Sequence, residues 1–176
     1  MTNTDLIPQI GYGDLRFGMS LTEAKAVIGE EKMISEYKDQ FWVVDETAEK
    51  LKDIVQVMFP EYGKNNKDIE LTFKSGKLVS LHFVGSKGSL TYKGIDLFDK
   101  DRKQILTQLY QHDKDTYHHG GAVFFGTLGI VTPPPRMWGP ASQGKLRYVD
   151  VVDSEYIFAD FDYLCFDQLD AIEDCF

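Results

Sequence analysis

Positive charge is missing from the end of this 176-residue chain, where no lysine or arginine follows Arg147. Nine of the 28 acidic residues lie in that stretch. The first 147 residues contain the other 19 acidic residues and all 19 basic residues, so their formal net charge is zero. The net charge of −9 comes entirely from the C-terminal segment. Because such a segment repels phosphates, we expect no binding to nucleic acid or to an anionic membrane.

Long apolar runs and paired cysteine motifs are also missing. No segment approaches the run of about 20 apolar residues that a membrane helix needs. The first nine residues lack the basic start and apolar stretch of a secretory signal. The two cysteines, Cys165 and Cys175, do not form a C-x-x-C motif. Together these features predict a cytoplasmic protein with free thiols.

Signatures of catalysis and cofactor binding are absent as well. The glycines at 11–13 and 85–88 lack the spacing of nucleotide-binding loops, and no G-x-S-x-G sequence occurs. Adjacent His118 and His119 would point to opposite faces of a strand, so we do not expect them to share a metal ion. The sequence predicts a non-enzymatic protein with no catalytic residue, metal or cofactor. The alternative is a small hydrolase or other enzyme without a sequence signature, whose Asp, His and Tyr residues meet only in the fold.

A first cycle of helix and strands is predicted in the N-terminal half. Ser20 and Glu23 have the spacing of a capping box, apolar residues follow at helical intervals, and Gly29 supplies a stop. Residues 69–74 and 78–84 alternate as the two strands of a hairpin.

A second cycle follows in the C-terminal half. A helix is predicted over 100–111, with Asp99 or Asp101 as its cap, and strands over 123–125 and 128–132. Residues 146–152 and 156–161 are predicted to form a final antiparallel pair.

Residues 47–59 fit two patterns. Their apolar residues have helical spacing, but 54–59 alone would pass for a strand. The good helix formers at 46–52 and the stop at Pro60 favour a helix.

The fold class predicted from these patterns is α+β, an antiparallel sheet with a few short helices packed on one face. The length predicts one domain over 1–176. The two similar cycles indicate an internal repeat of helix plus strands, with halves at 10–89 and 90–164.

The acidic C-terminal segment also contains aromatic residues between its acids. Aromatic side chains supply most of the binding energy at protein interfaces, and a field of one sign steers a complementary partner. We therefore predict a partner-binding surface for a basic protein such as a toxin domain. An amphipathic strand pair with a solubilising tail is the alternative interpretation. The predicted partner-binding residues are Asp150, Asp153, Glu155, Tyr156, Asp160, Asp162 and Tyr163.

Two segments resemble a known group of bacterial proteins. Residues 10–29, IGYGDLRFGMSLTEAKAVIG, and 73–78, FKSGKL, are similar to segments of the β-lactamase-inhibitor-protein-like α+β domains and of immunity proteins of polymorphic toxin systems. The resemblance implies a non-catalytic domain that neutralises another protein. The chain departs from that pattern after Gly29, where Glu30 replaces the usual Gly-Pro pair, and in the length of 40–68. No contact residue can be transferred.

Overall fold

A computed structural model describes residues 6–29, 35–38, 54–62, 67–85, 90–134, 144–155 and 167–175. The chain ends with a 3-10 helix at Ile172–Cys175. In chain order the other elements are β1 (Leu6–Ile7), β2 (Gly11–Tyr12), β3 (Leu15–Arg16), α1 (Leu21–Ile28), β4 (Ser35–Lys38), β5 (Ile54–Tyr62), β6 (Lys67–Lys74), β7 (Lys77–Val84), β8 (Thr91–Tyr92), β9 (Ile95–Asp96), α2 (Arg102–His112), β10 (Thr116–His119), β11 (Ala122–Phe125), β12 (Ile130–Thr132), β13 (Tyr148–Val152) and β14 (Asp167–Gln168).

A nine-stranded antiparallel sheet dominates the fold. Its strand order is β14-β10-β11-β12-β13-β7-β6-β5-β4. Two small sheets, β1-β2-β3 and β8-β9, lie outside it. The buried apolar residues of α1 and α2 belong to one hydrophobic core with apolar residues of β5 to β7 and β11 to β13. The predicted α+β class, with helices on one face of an antiparallel sheet, is confirmed.

The element order is similar in the two halves of the chain. A short hairpin (β2–β3 or β8–β9) precedes each helix. Four described strands of the main sheet, β4 to β7, follow α1, and five, β10 to β14, follow α2. The two sets are joined by the pairing of β7 with β13. The division into one domain with halves at 10–89 and 90–164 stays a prediction.

Helix α1 begins as its sequence predicts. The Ser20 side chain accepts a hydrogen bond from the Glu23 amide at 3.3 Å, and the Glu23 carboxylate accepts one from the Ser20 amide at 2.7 Å. Gly29 ends the helix with a φ of 101°, which favours glycine. The Gly18 amide then donates to the Leu78 carbonyl at 2.9 Å, which ties the start of α1 to β7.

Helix α2 is capped by Asp101, whose side chain accepts from the Lys103 amide at 2.8 Å. The next residue, Arg102, is buried and binds carbonyl oxygens instead of a carboxylate. It donates to Gly121 at 2.7 Å and to Cys175 at 3.1 Å. These bonds connect α2 to the β10–β11 turn and to the C-terminal 3-10 helix. The buried Arg102 guanidinium therefore has hydrogen-bond acceptors, and its role is structural.

The predicted hairpin is confirmed, with Ser75 and Gly76 as its two turn residues between β6 and β7. Both have positive φ, 48° and 76°, the values that match the twist of a two-residue hairpin.

The helix predicted over 47–59 is wrong in the part that the structure describes. Ile54–Tyr62 is strand β5, paired with β4 and β6. The β-branched residues at 54, 55 and 57 suit a strand with neighbours on both edges. The ladder is irregular between Phe59 and Tyr62, which is where Pro60 can be accommodated.

The structure describes one member of the predicted terminal strand pair, strand β13, which pairs with β7 on one edge and with β12 on the other. The proposed partner, 156–161, lies outside the described residues.

Candidate functional site

The two faces of the sheet differ in what they present to solvent. On the first face, cross-strand register aligns one residue from each of seven strands, and all seven are fully buried. This inner row consists of Val57, Leu71, Leu81, Val151, Ile130, Phe125 and Thr116.

The row displaced by one residue lies on the opposite face, because side chains alternate along a strand. Apart from Phe124, its members are only partly buried. This outer row consists of Met58, Glu70, His82, Asp150, Val131, Phe124 and Tyr117.

The centre of the outer row is polar. His82 Nδ1 lies 2.7 Å from Asp150 Oδ1, and the two side chains are 30% and 28% exposed. Glu70 stands opposite His82 on the other side, so the histidine lies between two carboxylates. Burial of the ring is the largest single influence, and it lowers the His82 pKa. The hydrogen bond to Asp150, the charge of Asp150 and the charge of Glu70 all raise that pKa, and together they outweigh the effect of burial. The net result is a pKa above the usual 6.5.

An aromatic and an aliphatic side chain adjoin this polar centre. The Tyr148 ring lies 5.1 Å from the His82 ring, centroid to centroid. Val84, directly opposite Tyr148, is 41% exposed and is one of the two large exposed hydrophobic residues among those the structure describes. Acidic, aromatic and apolar groups therefore occupy one face of the β7–β13 ladder from its middle to one end.

The structure places three of the seven predicted partner-binding residues. Asp150 lies within β13, and Asp153 and Glu155 follow that strand at the start of a helical turn, where the Glu155 amide donates to Asp153 Oδ1 at 3.0 Å. The Gln9 side chain and Ser154 hydrogen-bond each other and hold this turn against the N-terminal strands. The other four predicted residues, Tyr156, Asp160, Asp162 and Tyr163, lie outside the described residues.

The adjacent histidines of β10 do not meet at a site. His118 and His119 alternate between the two sheet faces, and neither lines the shallow depression on the exposed side of α2. In the part of the chain that the structure describes, no group of three His, Cys, Asp or Glu side chains is arranged to hold a metal ion.

Sequence reasoning missed His82 and its pairing with Asp150. Alternation in β7 could have indicated His82, because Leu81 and Phe83 face the core and leave His82 on the opposite face. Its partner could not be predicted, since Asp150 is 68 positions away and becomes a neighbour only through the order of the strands.

Comparison with protein-family models, curated proteins and solved structures gave no match. The resemblance to immunity and inhibitor proteins therefore stays a prediction. Neither of the described helices has the length and apolar character of a membrane span.

Proposed function

We propose that the chain is a non-catalytic, cytoplasmic protein-binding module that inhibits a basic protein, such as a nuclease toxin domain, as an immunity protein does. The observation that carries the proposal is the position of Asp150, Asp153 and Glu155. Asp150 lies on β13, and Asp153 and Glu155 lie in the turn that directly follows it, at the start of the stretch without any lysine or arginine.

The chemistry of the neighbouring residues supports this function. Tyr148 and the exposed Val84 lie beside Asp150 and offer apolar area. Interfaces gain most of their affinity from such anchors, whereas surrounding charge accelerates association and selects the partner. A basic active site, as nucleases have, would be complementary to this surface.

The binding partner is first captured from the native host by crosslinking and identified. Its affinity is then measured by calorimetry at about 50 mM and about 300 mM salt, which changes the screening of surface charges. The double variant Asp153→Lys/Glu155→Lys should weaken binding by about tenfold or more and flatten the salt dependence. Asp160→Lys/Asp162→Lys extends the test to the rest of the acidic segment.

A matched control reverses two exposed acids elsewhere, Asp14→Lys/Asp99→Lys, with the same change in net charge. The proposal requires this control to retain nearly all affinity at the higher salt concentration. If both double variants bind as well as the parent chain, or if both lose affinity equally, the proposed surface is wrong.

A second candidate, a hydrolase that uses His82 as a general base, is favoured by the His82–Asp150 pair. A carboxylate on Nδ1 orients the imidazole and leaves Nε2 available to a substrate, as in hydrolytic triads. Hydrolysis of activated esters by the parent chain and by His82→Asn tests it. Equal rates for the two proteins would reject this candidate.

A further inference from the structure

His82 occupies the middle of the β7–β13 ladder, which joins the strands that follow α1 to those that follow α2. The β7–β13 ladder has five opposed residue pairs, and His82 opposite Asp150 is the third of them. Directly opposed side chains in an antiparallel pair have Cβ atoms about 5 Å apart, close enough to bond without leaving the sheet. The 2.7 Å separation between Nδ1 and Oδ1 shows that they do.

The groups acting on His82 come from both flanking strands. Among the described residues, the charged groups that shift the His82 pKa are Asp150 on β13 and Glu70 on β6, and both are acidic. The Tyr148 ring from β13 lies beside it at an interplanar angle of 37°. The neighbours of His82 on the same face of β7, Ser80 and Val84, carry no charge.

We propose that His82 is a proton-controlled regulator of the acidic binding surface: the protonated ring neutralises Asp150 in an ion pair, and loss of the proton leaves the negative charge of that carboxylate available to a basic partner. The inference rests on the proposed function, because Asp150 is one of the proposed partner-binding residues. It adds to that function a dependence on pH that originates at a single side chain.

The direction of the effect follows from charge. Below the His82 pKa, the set of Glu70, His82 and Asp150 carries a formal charge of −1, with the imidazolium bound to Asp150. Above it, the same three residues carry −2 and the Nδ1–Asp150 contact is no longer an ion pair. Because both carboxylates raise the His82 pKa, this change occurs above the ordinary histidine value. Affinity for a cation should therefore increase as the pH rises.

The first measurement is an NMR titration of the histidine rings in the full chain. The pKa of His82 should lie above the usual histidine value of 6.5, and it should fall in Asp150→Asn. His119→Gln, a change at an exposed histidine of β10, should leave the His82 titration unchanged. An identical His82 pKa in the parent chain and in Asp150→Asn would overturn the proposal.

The second measurement uses N-acetyl-arginine amide as a cationic probe and follows the resonances of His82 and Asp150. The probe should bind about fivefold more tightly at about pH 8 than at about pH 5, a modest coupling between two sites. His82→Gln should bind equally at both pH values, whereas His119→Gln should keep the difference. Absence of saturable shifts at pH 8, or equal affinity of the parent chain at both values, contradicts regulation by His82.

The two proposals can fail separately. Neither measurement on His82 uses the protein partner, so both can succeed even if no inhibited protein exists. The variants at Asp153 and Glu155 test partner binding through the turn and do not alter His82.

Discussion

The inner and outer rows run across the same strands, one residue apart, and yet they have opposite character. Every member of the inner row is fully buried and six of the seven are apolar. The outer row contains Glu70, His82 and Asp150 side by side at its centre. One face of the sheet is therefore constrained by packing, whereas the other can carry charged side chains without unfolding the protein.

This difference shows where function can change in such a sheet. A substitution on the inner row alters a closely packed core and reduces stability. A substitution at the centre of the outer row alters charge and contact area that are available to another molecule. Three variants test this comparison, from the largest expected effect to the smallest.

Leu81→Ala on the inner row should destabilise the protein by about 3 kcal/mol, because it removes a fully buried side chain and leaves a cavity. The measurement is the free energy of unfolding in urea. The control is Ser80→Ala, the adjacent residue on the opposite face, with an expected change within about 0.5 kcal/mol. Similar losses in the two variants would contradict the assignment of the faces.

Thr116→Val tests the one polar member of the inner row. The Thr116 hydroxyl is fully buried and donates to the Asp113 carbonyl at 2.9 Å. Valine keeps the shape but removes the donor, so we expect a loss of about 1 kcal/mol in unfolding free energy. An increase in stability would show that the hydroxyl has no favourable role in the core.

A double-mutant cycle of His82→Gln and Asp150→Asn tests the centre of the outer row. The His82 pKa is raised in the folded protein, so its stabilising contribution is complete below the unfolded value of about 6.5 and is lost as the pH rises through the folded value. We expect a coupling energy of about 0.2–1 kcal/mol at about pH 5 and close to zero at about pH 8. A coupling that is constant with pH would show that the contact is not an ion pair.

The local features of the fold could be predicted because each depends on neighbouring residues. The capping box needs only Ser20 and Glu23, and the β6–β7 hairpin needs only a turn and two alternating segments. The helix predicted over 47–59 is wrong at 54–59 because the apolar positions there satisfy both a helical and a strand pattern. Residues 54–62 form a strand because β4 pairs with one edge of β5 and β6 pairs with the other.

The candidate site was predicted less completely because it depends on the order of the strands. The charge count indicated Asp150, Asp153 and Glu155 from composition alone. Nothing in the sequence indicates that β13 pairs with β7, and so nothing placed Asp150 beside His82. The alternating pattern of a strand can indicate a histidine on its solvent-facing side. The pattern cannot indicate which distant residue pairs with that histidine.

The pairing of β7 with β13 has a consequence for biosynthesis. A ribosome that has completed β7 must still add the residues from 85 to 147 before β13 exists, which takes about ten seconds at usual elongation rates. During that interval the nascent chain carries a strand edge with unpaired amide and carbonyl groups. Such an edge is a template for aggregation. The strand edge that forms the central ladder of the finished sheet is thus open to aggregation while the polypeptide is still growing.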